Sequence, residues 1–149
     1  MKPMNAEHTH QVFDWLWCSG QISADDIAAM PGLGIQAVIN LALPTSSPNL
    51  PGEAELVTGQ GITYVHIPVP WEQPNRQHLH VFFGTLKAFE GQSVWVHCAR
   101  NMRASAFIYL YRRLVLGEPH PTAQHPMLEV WEPNDTWGAF IRETLGASN

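Results

Sequence analysis

His97 and Cys98 end a β-rich run, and Arg103 follows after only four residues, in the stretch VHCARNMRAS. Those residue types at that spacing suit nucleophilic chemistry on an oxyanion. A cysteine attacks as its thiolate, and cations and helix N-termini lower the pKa of a thiol. Both aids are expected around Cys98. Arg100 and Arg103 bring formal charge, and a helical pattern begins near Met102. The first amides of that helix would face the loop, with the positive end of the helix dipole behind them. The same amides make an anion site, and a guanidinium can clamp two oxygens of one anion. Without such a setting, a free cysteine at a strand end is a small buried hydrophobe.

These residues need a strand to end and a helix to begin around them. QSVWVHC reads as a buried strand and MRASAFIYLYRRLVLG as a helix closed by Gly117, with the stripe Phe107, Tyr109, Leu110 and Tyr111 as core. Upstream, FDWLWCSGQI is one short β-like run. SADDIAAMPGLG is a helix capped by Ser23 and stopped at Pro31-Gly32. IQAVINLAL and ITYVHIPV are strands, PTSSPNLPG a loop, and PGEAELVTGQG and NRQHLHVFFGTLKAFEG helices. The tail MLEVWEPNDTWGAFIRETLG carries a helical pattern broken at Pro133-Asn134, where Asn134 is placed to cap the last helix. Strands alternating with helices predict an α/β fold with a mostly parallel central sheet flanked by helices. In such sheets ligands sit beyond the carboxyl ends of the strands, which is where Cys98 falls.

Composition narrows the functional classes. The chain has 149 residues, 45% of them hydrophobic and 14% charged, which predicts one compact domain over 1–149. About residues 1–11 read as a flexible N-terminal segment. A net charge of −5 gives no basic surface for nucleic acid. No apolar stretch is long enough for a membrane span, and MKPMNAEHTHQ has no signal-peptide core. Two cysteines, Cys18 and Cys98, are too few for a disulfide framework, so a reduced cytoplasmic setting is expected. Cys18 reads as a buried structural thiol. The eight histidines include His8-x-His10 and His78-x-His80. The first pair lies in the terminal segment and the second on a helix, where i and i+2 point apart. His120 and His125 show no ligand pattern, and no metal site is read from any of them. Oligomeric state is not legible.

The stretch around Cys98 resembles the signature of the cysteine-dependent phosphatase superfamily: His-Cys, five residues, Arg, then Ser or Thr. With CSGQIS, VINLAL, YVHIPVPWE and VWEPNDTW, it is more closely similar to a bacterial branch of dual-specificity and protein tyrosine phosphatase-like proteins, long catalogued as a domain of unknown function. That branch is related to the phosphatase-like part of beta-lactamase-hydrolase-like proteins. The resemblance runs from about Trp17 to Leu145.

It implies a protein tyrosine phosphatase-like fold and hydrolysis of a phosphate monoester, on a phosphorylated protein or a small molecule, through a phosphocysteine. Cys98 would be the nucleophile, and His97 would hold the loop and tune the thiolate. Arg103 would bind phosphate together with the amides of Ala99, Arg100, Asn101 and Met102. No cofactor and no metal are implied. The proton donor would come from the loop after YVHIPV, where Glu72 is the only carboxylate of PWEQPNRQ.

The chain departs from the superfamily pattern in three ways. One residue fewer separates Cys98 from Arg103. The loop lacks glycine, leaving Asn101 as the residue best suited to a left-handed conformation. Ala104 stands where a hydroxyl is usual, with Ser105 next to it as a substitute. The six residues Cys98 to Arg103 also match the loop length of rhodanese-like sulfurtransferases, which carry a persulfide. A non-catalytic oxyanion-binding domain remains a third reading.

Overall fold

The computed structural model describes residues 4–146. Five strands form one sheet: β1 (His10–Phe13), β2 (Leu16–Ser19), β3 (Ile35–Asn40), β4 (Thr63–His66) and β5 (Ser93–His97). Their order is β1-β2-β5-β3-β4. β1 and β2 are antiparallel, and the remaining three pairings are parallel. The expected α/β architecture with a mostly parallel sheet is therefore present.

The apolar runs alternate between the two faces. Val94, Val96, Ala37 and Ile39 join a core under α3 (Arg76–Ala88), α4 (Met102–Leu114) and α7 (Asp135–Gly146). Trp95 and Val38 point the other way, to a smaller core with Ile27 of α1 (Ala24–Ala29) and Val57 of α2 (Glu53–Gly59). A strand buried on both faces cannot alternate apolar with polar, which is why these segments read as continuous hydrophobic runs. α4 is the hub. Every residue from Arg103 to Arg112 is buried, because the sheet covers one side and α3, α7 and the short helices α5 (His120–Ala123) and α6 (Met127–Val130) cover the rest. Ser23 caps α1 in a reciprocal box with Asp26, and Asn134 Oδ1 accepts the Trp137 amide at the start of α7, as expected.

Register places one end of the sheet in line. Ser19 pairs with His97, His97 with Asn40, and Asn40 with His66. The last residues of β2, β5, β3 and β4 thus form one row, and the loops leaving it share a single edge.

Two expectations change. The first β-like run, FDWLWCSGQI, holds β2 and only the last residue of a further strand, β1, which starts upstream at His10 and folds back on β2. The segment expected to be flexible is tied down from Asn5 onward. The Asn5 amide donates to Asp26 Oδ1 at 2.8 Å, and the Glu7 carbonyl accepts from the Gly20 amide at 2.8 Å. These are backbone bonds to distant partners, which side-chain patterning does not report. Residues 1–3 of that segment lie outside the described residues. Among the described residues no helix is long and apolar enough to cross a membrane.

Candidate active site

β5 ends at His97 and α4 starts at Met102, so Cys98 to Asn101 bridge the two at the sheet's carboxyl edge. The turn depends on Asn101, which sits at φ 66°, ψ 5° in the left-handed region expected of it. Its side-chain amide donates to the His8 carbonyl at 2.8 Å and faces Cys18 Sγ at 3.3 Å. Burial pushes the Cys18 thiol up to about 12, so this second cysteine stays protonated as packing.

The other wall of the turn is backbone. Gly20 forms an isolated bridge to Arg100, and the Gln21 amide donates to the Ala99 carbonyl at 2.9 Å. A Cβ on Gly20 would lie 2.9 Å from the Ala99 oxygen and 3.2 Å from the Arg100 Cα. Only glycine allows that approach.

Cys98 and Arg103 line one cleft of about 320 Å³, together with Trp71, Ser46 and Met102. The sulfur is almost enclosed, with 1% of the residue exposed, and the Ala104 amide points at it from 3.5 Å. That amide belongs to the first turn of α4, where amides have no partner within the helix. Arg103 is equally well held. Its guanidinium donates to the Val69 carbonyl at 3.0 Å and to Ser46 Oγ at 3.3 Å, and lies 6.0 Å from the centre of the Trp71 ring. A guanidinium has five N–H donors, so these two bonds leave others for an anion. Arg100 is exposed at the rim and pairs loosely with Glu7 at 3.5 Å. Trp71 is fixed from behind. Its carbonyl accepts from Trp137 Nε1 at 2.8 Å, and its ring packs on Trp131 and Trp137.

Beneath the loop, His97 is fully buried. Its Nε2 meets Glu53 Oε2 at 2.6 Å and its Nδ1 meets the Cys98 carbonyl at 3.1 Å. Both partners are acceptors, so the ring sits between two oxygens, each of which can take an N–H. Glu53 also accepts from Gln21 Nε2 at 2.6 Å and from the Tyr64 hydroxyl at 3.0 Å, and Asn40 Nδ2 donates to that hydroxyl oxygen at 2.9 Å. Burial alone would raise the Glu53 pKa, but the bonds from His97, Gln21 and Tyr64 outweigh it and hold the carboxyl below its usual range.

Of the residues picked out in the sequence, Cys98, Ala99, Arg100, Met102 and Arg103 line the cleft, and His97 and Asn101 support its floor. Two do not join them. Glu72 is exposed beside Trp71 and is not part of the cleft wall. Ser105 sends its hydroxyl to the Met102 carbonyl at 3.1 Å, back along its own helix and away from the substitute role expected of it. Four contributors escaped the sequence reading: Gly20, Ser46, Glu53 and Trp71. Each sits in a segment read only as a turn, a loop or a helix start, and nothing local links it to Cys98.

Two measurements check this geometry. Glu53→Gln strips His97 of its buried anion and is expected to cost about 3 kcal/mol in urea unfolding at pH 7. Glu53 titrates lower in the folded than in the unfolded chain. Its stabilisation is therefore complete above the unfolded value, near 4.5, and is lost as pH falls through the folded value. Unfolding curves from pH 7 down to pH 3 should show a shallower acid limb in the variant. Gly20→Ala forces backbone against backbone and is expected to destabilise by about 1–3 kcal/mol in the same assay. A neutral Gly20→Ala would mean that the strap yields freely.

No family model and no curated protein matches the chain. Solved structures do. A protein from Shewanella putrefaciens CN-32, described as a candidate phosphatase of DUF442, matches with a TM-score of 0.85 and 30% identity, covering 97% of this chain and 95% of that one. TpbA of P. aeruginosa, solved in complex with phosphotyrosine, matches with a TM-score of 0.70 and 17% identity over 90% of this chain and 82% of its own. PTPMT1, solved in complex with PI(5)P, matches with a TM-score of 0.75 and 13% identity over 95% of this chain and 99% of its own. The last two share the fold, whereas the first shares sequence along nearly the whole length. The chain belongs to the DUF442 family of protein tyrosine phosphatase-like proteins.

Proposed function

We propose that the chain is a cysteine-dependent phosphatase acting on phosphate monoesters, with aryl phosphates as its preferred class. One observation carries the reading: Cys98 and Arg103 line the same cleft at the head of α4, where an amide already points at the sulfur. The Cys98 thiolate attacks phosphorus. The bond to the leaving oxygen breaks, and its electron pair stays on that oxygen. Water then attacks the phosphocysteine, the P–S bond breaks, and thiolate and inorganic phosphate are released. Arg103 clamps the equatorial oxygens, and the amides from Ala99 through Asn101 and Met102 complete the cradle. Arg100 draws the dianion in from the rim. His97 fixes the Cys98 carbonyl and thereby the aim of the loop.

The cleft wall supports the substrate class. Among the described residues it contains no carboxylate to protonate a leaving oxygen, and Trp71 offers a flat aromatic face beside Arg103. An aryl phosphate suits both features, since an aryloxide leaves with little help and its ring can stack. The TpbA neighbour was solved with such a group, phosphotyrosine. Phosphotyrosine in a protein and a free aryl phosphate present the same chemistry to this cleft. Glu72 is retained as proton donor only for poorer leaving groups, which it would serve by an inward swing of its loop.

Reduced protein is expected to turn over p-nitrophenyl phosphate, and Cys98→Ser to fall to background while still binding inorganic phosphate. Activity that survives in Cys98→Ser would remove the cysteine from the reaction, and turnover of thiosulfate instead of the aryl ester would assign sulfur transfer. Glu72→Gln should leave the aryl ester rate unchanged and slow an alkyl phosphate by about 100-fold. An equal rate on both esters would take Glu72 out of the mechanism.

A further inference from the structure

Away from the cleft, three side chains from distant parts of the sequence meet at one surface point. His10 opens β1, His125 precedes α6, and Glu129 lies within α6, four residues after His125. One donor atom from each lies within 4.8 Å of the other two. His10 Nδ1 is 3.6 Å from one Glu129 oxygen, and His125 Nδ1 is 3.1 Å from the other. The two imidazoles meet edge to face, with centroids 5.6 Å apart. The sequence alone sets both aside: His10 because the His8-x-His10 pair falls in the amino-terminal segment, His125 because it shows no ligand pattern.

Two imidazoles and a carboxylate form a borderline donor set, suited to zinc rather than to magnesium or calcium. Zinc takes such ligands at about 2.0–2.2 Å in tetrahedral array, which sets donor atoms about 3.3 Å apart. Each imidazole lies near that distance from the Glu129 carboxylate, on a different oxygen, and one donor atom from each of the three residues lies within 4.8 Å of the others. The backbones are placed without any ion. His10 pairs across to Cys18, and the His125 carbonyl accepts from the buried Arg112 at 2.9 Å. His10 is part-buried, while His125 and Glu129 stay open to water, which can supply the fourth ligand.

We propose that His10, His125 and Glu129 form a binding site for a divalent transition ion of the zinc type, completed by water, which clips β1 to α6. The role is structural. The ion ties the amino-terminal hairpin to the helices around α4, and the same hairpin leads back to the His8 carbonyl that holds Asn101.

The test titrates zinc chloride into the full chain carrying Cys98→Ser, which removes a competing thiol. A chromophoric chelator reports affinity, and thermal melting reports stabilisation. One equivalent is expected to bind and to raise the Tm by several degrees, whereas magnesium at the same concentration does nothing. His10→Ala and His125→Ala should each weaken zinc by more than about tenfold, and His80→Ala, at an exposed position on α3, should not. Metal-free melting of each variant shows that it folds, and Glu129→Gln repeats the test with both imidazoles in place. Zinc K-edge absorption should count two imidazoles. No binding, binding unaltered in both histidine variants, or a sulfur-ligated spectrum would overturn the site.

Discussion

A carboxylate and an imidazole buried against each other underlie the rest of this molecule. Glu53 and His97 come from the start of α2 and the end of β5, and each is nearly sealed from solvent. Desolvating two such groups is costly, and their attraction offsets the cost only when the remaining lone pairs and protons also find partners. Here they do, through Gln21, Tyr64 and the Cys98 carbonyl. The pair fixes where the cysteine loop leaves the sheet, and α2, β2, β4 and β5 are all drawn to that point.

The loop itself shows how a short connection can still aim a sulfur at a helix terminus. With one residue fewer than the superfamily signature, the chain must turn sharply, and Asn101 absorbs the turn in a conformation that most side chains resist. Its side chain then anchors to the hairpin, which a glycine could not do. Ala104 has no hydroxyl to offer the sulfur, and its amide points at it from 3.5 Å. The main-chain donor that remains is positioned by the first turn of α4.

The fold was legible because its signals are periodic and local. Val94, Trp95 and Val96 with Ala37, Val38 and Ile39 announce a doubly buried parallel sheet, and Ser23 and Asn134 announce their helices. The centre of the site was legible because Cys98, Arg100 and Arg103 are neighbours in sequence. What surrounds them was not. Gly20 looks like any strand-closing glycine until its missing Cβ is seen to admit the Ala99 carbonyl. Glu53 looks like a helix-start acid favoured by the dipole, and only the fold turns it toward His97. Ser105 reads as a substitute hydroxyl, and its hydroxyl bonds the Met102 carbonyl of its own helix, a competition that sequence spacing does not reveal.

The Trp137 indole that holds the Trp71 carbonyl has a temporal consequence. Translation delivers residue 137 well after the strand, loop and most of the helix that present the cysteine. During synthesis the cysteine loop can therefore assemble while the aromatic wall of its cleft still lacks an anchor, and that wall is completed when α7 docks.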